Sequence, residues 1–193
     1  MTQKRYQGCG DIDPAPLAEP LYFTFSRRTA RNRFMKAAMT ERLSSWNPSE
    51  LESRGIPSSE LINVYRRWSE GGYGLILTGN VMLEYDQLEA AGNMIIPRQE
   101  AFGGERFKRF TQLASAAKAH GSLVVMQLSH PGRQVSERIQ SHPISASDVR
   151  LEGEVLGLKF ARPRPMENAD FEAVIDGFAH AAEYAYKCGY DGI

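Results

Sequence analysis

Three times along the chain a short apolar run passes through a long polar loop into an amphipathic segment, and a glycine then turns the chain into the next apolar run. "RFMKAAM" (33–39) reads as the first strand, and the Ser-, Pro- and Gly-rich stretch "TERLSSWNPSELESRGIPSS" after it as a long loop. Ser58 or Ser59 is placed to cap a helix whose inner face carries Leu61, Ile62, Tyr65 and Trp68, and Gly71 stops it. "YGLILTG" (73–79) is continuously apolar between glycines, the pattern of a strand buried on both faces. A second long loop leads into a helix from about Glu105 to His120, with Phe107, Phe110, Leu113, Ala114 and Ala117 inward. "SLVVMQL" (122–128) is the third buried strand, and residues 129–167 form a third long loop. The last helix is capped by Asn168, striped by Phe171, Val174, Ile175, Phe178, Ala182 and Ala185, and ended by Gly189; "YDGI" (190–193) opens a fourth strand.

The loops after the strands are long, whereas the turns after the helices are single glycines. In a (β/α)8 barrel the loops after the strands build the active-site face and the others only close the bottom. A doubly wound sheet shows the same alternation, but no strand here runs into GxGxxG or GxxxxGK[ST]. The expectation is an α/β fold, a (β/α)8 TIM barrel of which three units and the start of strand four are present. A complete barrel needs roughly 250 residues, so the 193 residues read as a truncated, N-terminal half of one. Residues 1–31, with Pro14, Pro16 and Pro20, form a lead-in with one short hairpin, and residues 32–193 form the half-barrel.

Composition narrows the partners. Lys+Arg and Asp+Glu both number 23, so no net charge recommends nucleic acid or an anionic membrane. The one basic cluster, "SRRTARNR" (26–33), reads as a solvated turn. Cys9 and Cys188 make no disulfide framework, and the four histidines have no zinc-ligand spacing. No apolar run is long enough for a membrane span and the N-terminus lacks a signal peptide's apolar core, so a reducing cytoplasmic setting is expected.

Three strand ends carry small or polar groups: "AAMT" (37–40), "LTGN" (77–80) and "QLSHPGR" (127–133). Taken singly, each has a structural explanation: Thr40 and Asn80 as turn residues, Gln127 satisfied by backbone, His130 on the surface. Their recurrence at successive strand ends, all on one rim if the barrel forms, argues for a site. Ala38 lets a ring approach the backbone, Thr40 and Gln127 can donate and accept at its edges, and Gly79 permits close approach. The set suits a flat heteroaromatic ligand. No carboxylate pair or GxSxG elbow stands at a strand end.

"NRFMKAAMTE", "SEGGYGLILTGNVML", "VVMQLSHPGRQ" and "FAHAAEYAYKCGYDGI", in this order, resemble the Old Yellow Enzyme family, the FMN-dependent NADH:flavin oxidoreductases, from about Pro20 onward. The wording is closer to the NADH-oxidase-like branch than to the branch with a cysteine at the Thr40 position. The resemblance implies a (β/α)8 barrel with FMN at the C-terminal ends of the strands and NADH or NADPH as reductant. It assigns Ala38, Met39 and Thr40 to the first flavin-contacting segment, Gly79 and Asn80 to the second, and Gln127 to the flavin's pyrimidine ring. His130 and Arg133 become rim and loop-ordering residues. The reaction implied passes hydride from the nicotinamide through FMN to a small molecule, an activated alkene or similar acceptor. The family's substrate-binding histidine pair, proton-donating tyrosine and phosphate grip belong to later strands, so no residue here is assigned as a catalyst. The alternative is a non-catalytic half-barrel, an oligomerising or interaction protein that pairs with itself as a homo-oligomer or with another chain to cover its open sheet edges.

Overall fold

The computed structural model describes residues 10, 12–155 and 157–193; Cys9 and the rest of the lead-in before Gly10 lie outside the described residues. After a 3-10 turn at Ala15–Leu17, β1 (Leu21–Phe23) and β2 (Arg28–Ala30) form an antiparallel hairpin. β3 (Met35–Lys36) is shorter than the expected 33–39 strand, because the chain leaves the sheet after Lys36 to run across the end of its neighbour. Helix α1 (Ser59–Glu70) follows, capped by Ser58, whose side chain accepts the Leu61 N–H at 3.0 Å. β4 (Leu75–Met82) extends three residues beyond the expected strand, and β5 (Met94–Ile95) pairs with that extension. Helix α2 (Gly104–Lys118) and β6 (Leu123–Ser129) lie within two residues of the expected spans.

The loop after β6 holds more structure than its composition suggests. β7 (Ile144–Ser145) pairs in parallel with β10 (Arg164–Pro165), and β8 (Glu154–Val155) pairs antiparallel with β9 (Leu158–Lys159). Helix α3 (Asn168–Lys187) ends the set. Its N-cap is Glu167, one residue before the expected Asn168, because Glu167 and Asp170 each accept the other's backbone N–H in a reciprocal capping box.

β3, β4 and β6 add in chain order and in parallel: Met35, Leu75 and Leu123 stand in one register row, and Lys36, Ile76 and Val124 in the next. The fourth strand begins as expected, with Asp191 N–H donating to the Val124 carbonyl at 2.8 Å and Met126 N–H to the Gly192 carbonyl at 2.9 Å. All three helices cover the same face. Ile76, Val124 and Met126 are buried in one core with Leu61 and Tyr65 of α1, Phe110 and Leu113 of α2, and Ala181 and Tyr184 of α3. Sequential parallel strands with every helix on one side are singly wound, the sense of a barrel rather than a doubly wound sheet.

Burial corrects two expectations. The strands are not buried on both faces: Ile76, Thr78, Val124 and Met126 are fully covered, whereas Leu75, Leu77, Leu123 and Val125 are only half-buried on the face turned away from the helices. On α3 the buried stripe is Gly177, Ala181, Tyr184 and Ala185, turned by about one residue from the expected one, and Phe171 and Ile175 are exposed. The small residues let the helix approach Leu83 closely, and Tyr184 anchors it edge-on to Phe107 and Phe110, with centroids 5.1 and 6.0 Å away.

Candidate active site

The C-terminal ends of β3, β4 and β6 meet at one rim, and a β-bulge decides what they present there. From Leu77↔Val125 to Asn80↔Gln127 the register advances three residues on β4 but two on β6. Strict alternation would put Gly79 on the half-open face with Leu77; the extra residue puts Asn80 there instead, directly opposite Gln127. Thr78 makes the bulge affordable. Its buried hydroxyl accepts the Gln127 N–H at 2.9 Å and donates to the Gly79 carbonyl at 2.9 Å, so the displaced backbone keeps its hydrogen bonds.

The segment after β3 closes over this bulge. A Cβ at Gly79 would collide with the Met39 carbonyl and the Glu41 carboxylate, so only glycine admits the 38–41 backbone at this distance. The approach that Gly79 permits is thus that of the protein's own loop. The Gly79 N–H donates to Glu41 Oε1 and to Tyr65 Oη, both at 3.0 Å, and the Tyr65 hydroxyl donates to the same Glu41 oxygen. Ala38 and Thr40 are half-buried and Met39 is exposed.

Lys36 completes the cluster from the helix side. Its ammonium lies 4.0 Å from the centroid of the Trp68 ring and donates to the Leu77 carbonyl at 2.9 Å. Burial lowers its pKa, and the Glu41 carboxylate draws it back up. Burial and then Glu41 push the Tyr65 phenol well above its ordinary value, so it stays a neutral donor. Sequence reasoning missed Lys36, Glu41 and Tyr65 as members of this site, since Tyr65 reads as ordinary core on an amphipathic helix. The available signal was a carboxylate standing directly after an apolar strand end.

All six residues expected to hold a cofactor, Ala38, Met39, Thr40, Gly79, Asn80 and Gln127, therefore occupy one rim, on an open face rather than in a closed pocket. His130 lies just beyond β6, half-buried, and Arg133 is exposed. A cavity of about 450 Å³ lies elsewhere, under the loops after β4 and β6, and is lined by Glu84, Asp86, Gln87, Arg98 and Asp170. The rim has the chemistry for a planar ring with carbonyl and N–H edges, because Asn80 and Gln127 each offer a donor and an acceptor from paired positions on neighbouring strands. The basic cluster at 26–33 is instead committed to structure: Arg28 pairs with Asp191 and Arg31 donates to the His120 carbonyl at 2.7 Å.

A singly wound parallel sheet with polar side chains gathered at the C-terminal strand ends is the plan of a barrel enzyme. Residues 16–193 match the NADH:flavin oxidoreductase / NADH oxidase family, and the chain belongs to that family. It is 52% identical over 182 residues to the NADH-dependent flavin oxidoreductase nadA of Aspergillus parasiticus, covering 94% of this chain and 41% of that protein. The NADH-dependent flavin oxidoreductase iliE of Hypocrea jecorina is 28% identical over 177 residues, covering 86% of this chain and 42% of the relative. The chain thus spans less than half the length of these relatives. Among solved structures, the old yellow enzyme from Trypanosoma cruzi superimposes with a TM-score of 0.75 at 19% identity, over 92% of this chain and 50% of that one, which places the fold. Among the described residues no helix is long and apolar enough to cross a membrane.

Proposed function

We propose that this chain forms the flavin-facing strands of an FMN-dependent oxidoreductase that carries reducing equivalents from NADH or NADPH to a small-molecule acceptor, an activated alkene or a similar electrophile. The observation that carries the reading is the in-register Asn80–Gln127 pair, presented by the β4 bulge beside the Ala38–Thr40 segment. In this reading Gln127 holds the pyrimidine edge of the ring, Asn80 and Thr40 hold its neighbouring polar edge, and Ala38 and Met39 lie against its plane. Bound FMN supplies the hydride chemistry; the protein binds, orients and tunes it. Family membership and the NADH-dependent relatives support the same assignment.

Titration of the purified chain with FMN, followed by flavin fluorescence and the visible spectrum, tests this. Because the resemblance puts the phosphate grip on later strands, this chain holds the ring alone, and saturable quenching is expected only at high FMN concentration, with loss of the flavin absorbance on adding NADH. Gln127→Leu should weaken FMN binding about three- to tenfold, the worth of one ordinary hydrogen bond. Equal affinity and equal reduction rate in that variant would put the ring somewhere else, and no quenching by the unmodified chain would overturn the reading.

A further inference from the structure

The rim residues are only as well placed as the backbone that carries them, and one small polar cluster fixes that backbone. Glu41 Oε1 accepts from the Gly79 N–H and from the Tyr65 hydroxyl, which itself accepts the same N–H. These contacts join residues 24 and 38 positions apart in sequence, tying the end of the 38–41 segment to the bulge and both to α1. Tyr65 is fully buried and edge-on to Trp68, with centroids 4.9 Å apart, so its hydroxyl has little freedom. Lys36, lying over Trp68, braces the same stretch of β4 by donating to the Leu77 carbonyl at 2.9 Å. Gly79 is the residue that makes room for Glu41 and Met39, and it is also part of the bulge that turns Asn80 toward Gln127. A change at Glu41 or Tyr65 therefore reaches both walls of the rim at once.

We propose that Glu41 and Tyr65 are positioning residues: through the Gly79 amide they lock the Ala38–Thr40 segment against the Asn80–Gln127 pair and so set the affinity and reduction potential of the bound flavin. The inference rests on the flavin reading above. Donors and acceptors held at fixed places around the ring favour one redox state over another, whereas a loose segment loses that discrimination. Neither residue has to touch the ring.

Tyr65→Phe removes the hydroxyl and keeps the aromatic packing; Glu41→Gln keeps the shape and one acceptor oxygen. Tyr65→Phe should speed hydrogen exchange at the Gly79 amide, weaken FMN binding roughly tenfold, as loss of an outer supporting contact typically does, and move the flavin's reduction potential. Glu41→Gln should recover part of each effect and carries the same comparison if Tyr65→Phe does not fold. Phe110→Leu, in the same core but away from the cluster, should lower the unfolding midpoint and leave affinity and potential unchanged. If the unmodified chain binds FMN and Tyr65→Phe matches its affinity and potential, the positioning role is overturned. If the unmodified chain takes up no FMN, the flavin reading fails instead, and the Gly79 exchange rate alone decides whether the pair locks the rim: faster exchange upholds the lock, and an unchanged rate removes it.

Discussion

His130 leaves β6 with its two ring nitrogens in unequal surroundings. Nδ1 accepts the Gly132 N–H at 3.1 Å, so in the neutral ring the proton resides on Nε2, which is buried and without a partner among the described residues. Burial lowers the pKa below its ordinary value of about 6.5. Above that pH neither the folded nor the unfolded form is protonated here. As the pH falls through about 6.5 the unfolded chain takes up the proton first, so stability drops with pH until the folded ring also titrates. His130→Gln is expected to flatten the decline in unfolding free energy as the pH falls below about 6.5. In the ring's NMR titration a midpoint at or above the ordinary value would contradict this environment. At this scale the placing of Asn80 and Gln127 toward neighbouring strand ends was legible in the sequence, because an amide at the end of an apolar strand is conspicuous. Glu41 and Tyr65 were not, because their importance lies in meeting across 24 residues at a third residue's backbone.

Helices α1 and α2 were legible almost to the residue, since a single apolar stripe and a glycine stop describe each. Helix α3 was less so: apolar residues encircle it, and close packing of Gly177, Ala181 and Ala185 outweighed burial of Phe171 and Ile175. The long loops were the least legible, and two buried arginines explain their order. Arg54 donates to the carbonyls of Asn47, Pro48 and Tyr85 and stacks on Trp46, with the guanidinium carbon 4.2 Å from the ring centroid. Arg106, at the start of α2, donates to the carbonyls of Glu52, Arg54 and Ile95 and pairs with Glu100 at 2.9 Å. Composition marks such loops as irregular, but a guanidinium's five donors can gather carbonyls that no ladder satisfies. Arg106→Ala leaves three inward carbonyls and a carboxylate without their donor, and should destabilise the fold by about 3 kcal/mol or more, read as a lowered midpoint in urea unfolding. A change below about 0.5 kcal/mol would mean that water replaces the side chain at little cost.

Across the whole molecule the barrel sense was visible from loop asymmetry taken with the missing GxGxxG and GxxxxGK[ST] motifs, whereas the contact that joins the hairpin to the fourth strand was not. Asp191 stands at the foot of the fourth strand with its carboxylate 2% exposed. It pairs with Arg28 of the N-terminal hairpin and with Lys118 at the end of α2 at 2.8 Å, and it accepts the Val124 N–H of β6 at 2.9 Å. One side chain thereby links the β1–β2 hairpin, a helix end and two neighbouring strands, over a separation of 163 residues. No local pattern announces this, because "YDGI" reads as a strand start and the arginine as part of a solvated turn. Both cations are partly exposed and can rehydrate when the carboxylate is lost, so the cost falls short of stranding a buried charge. Asp191→Ala should remove about 1.5–3 kcal/mol, the value of hydrogen bonds to a charged group. The loss should be directional: β1 and β2 are held to the body partly through Arg28, so the hairpin's Arg27 and Arg28 should become trypsin-sensitive before the core unfolds. Equal cleavage of the hairpin in variant and unmodified chain, at matched temperature, would show that other contacts hold the hairpin and that Asp191 serves only the strand.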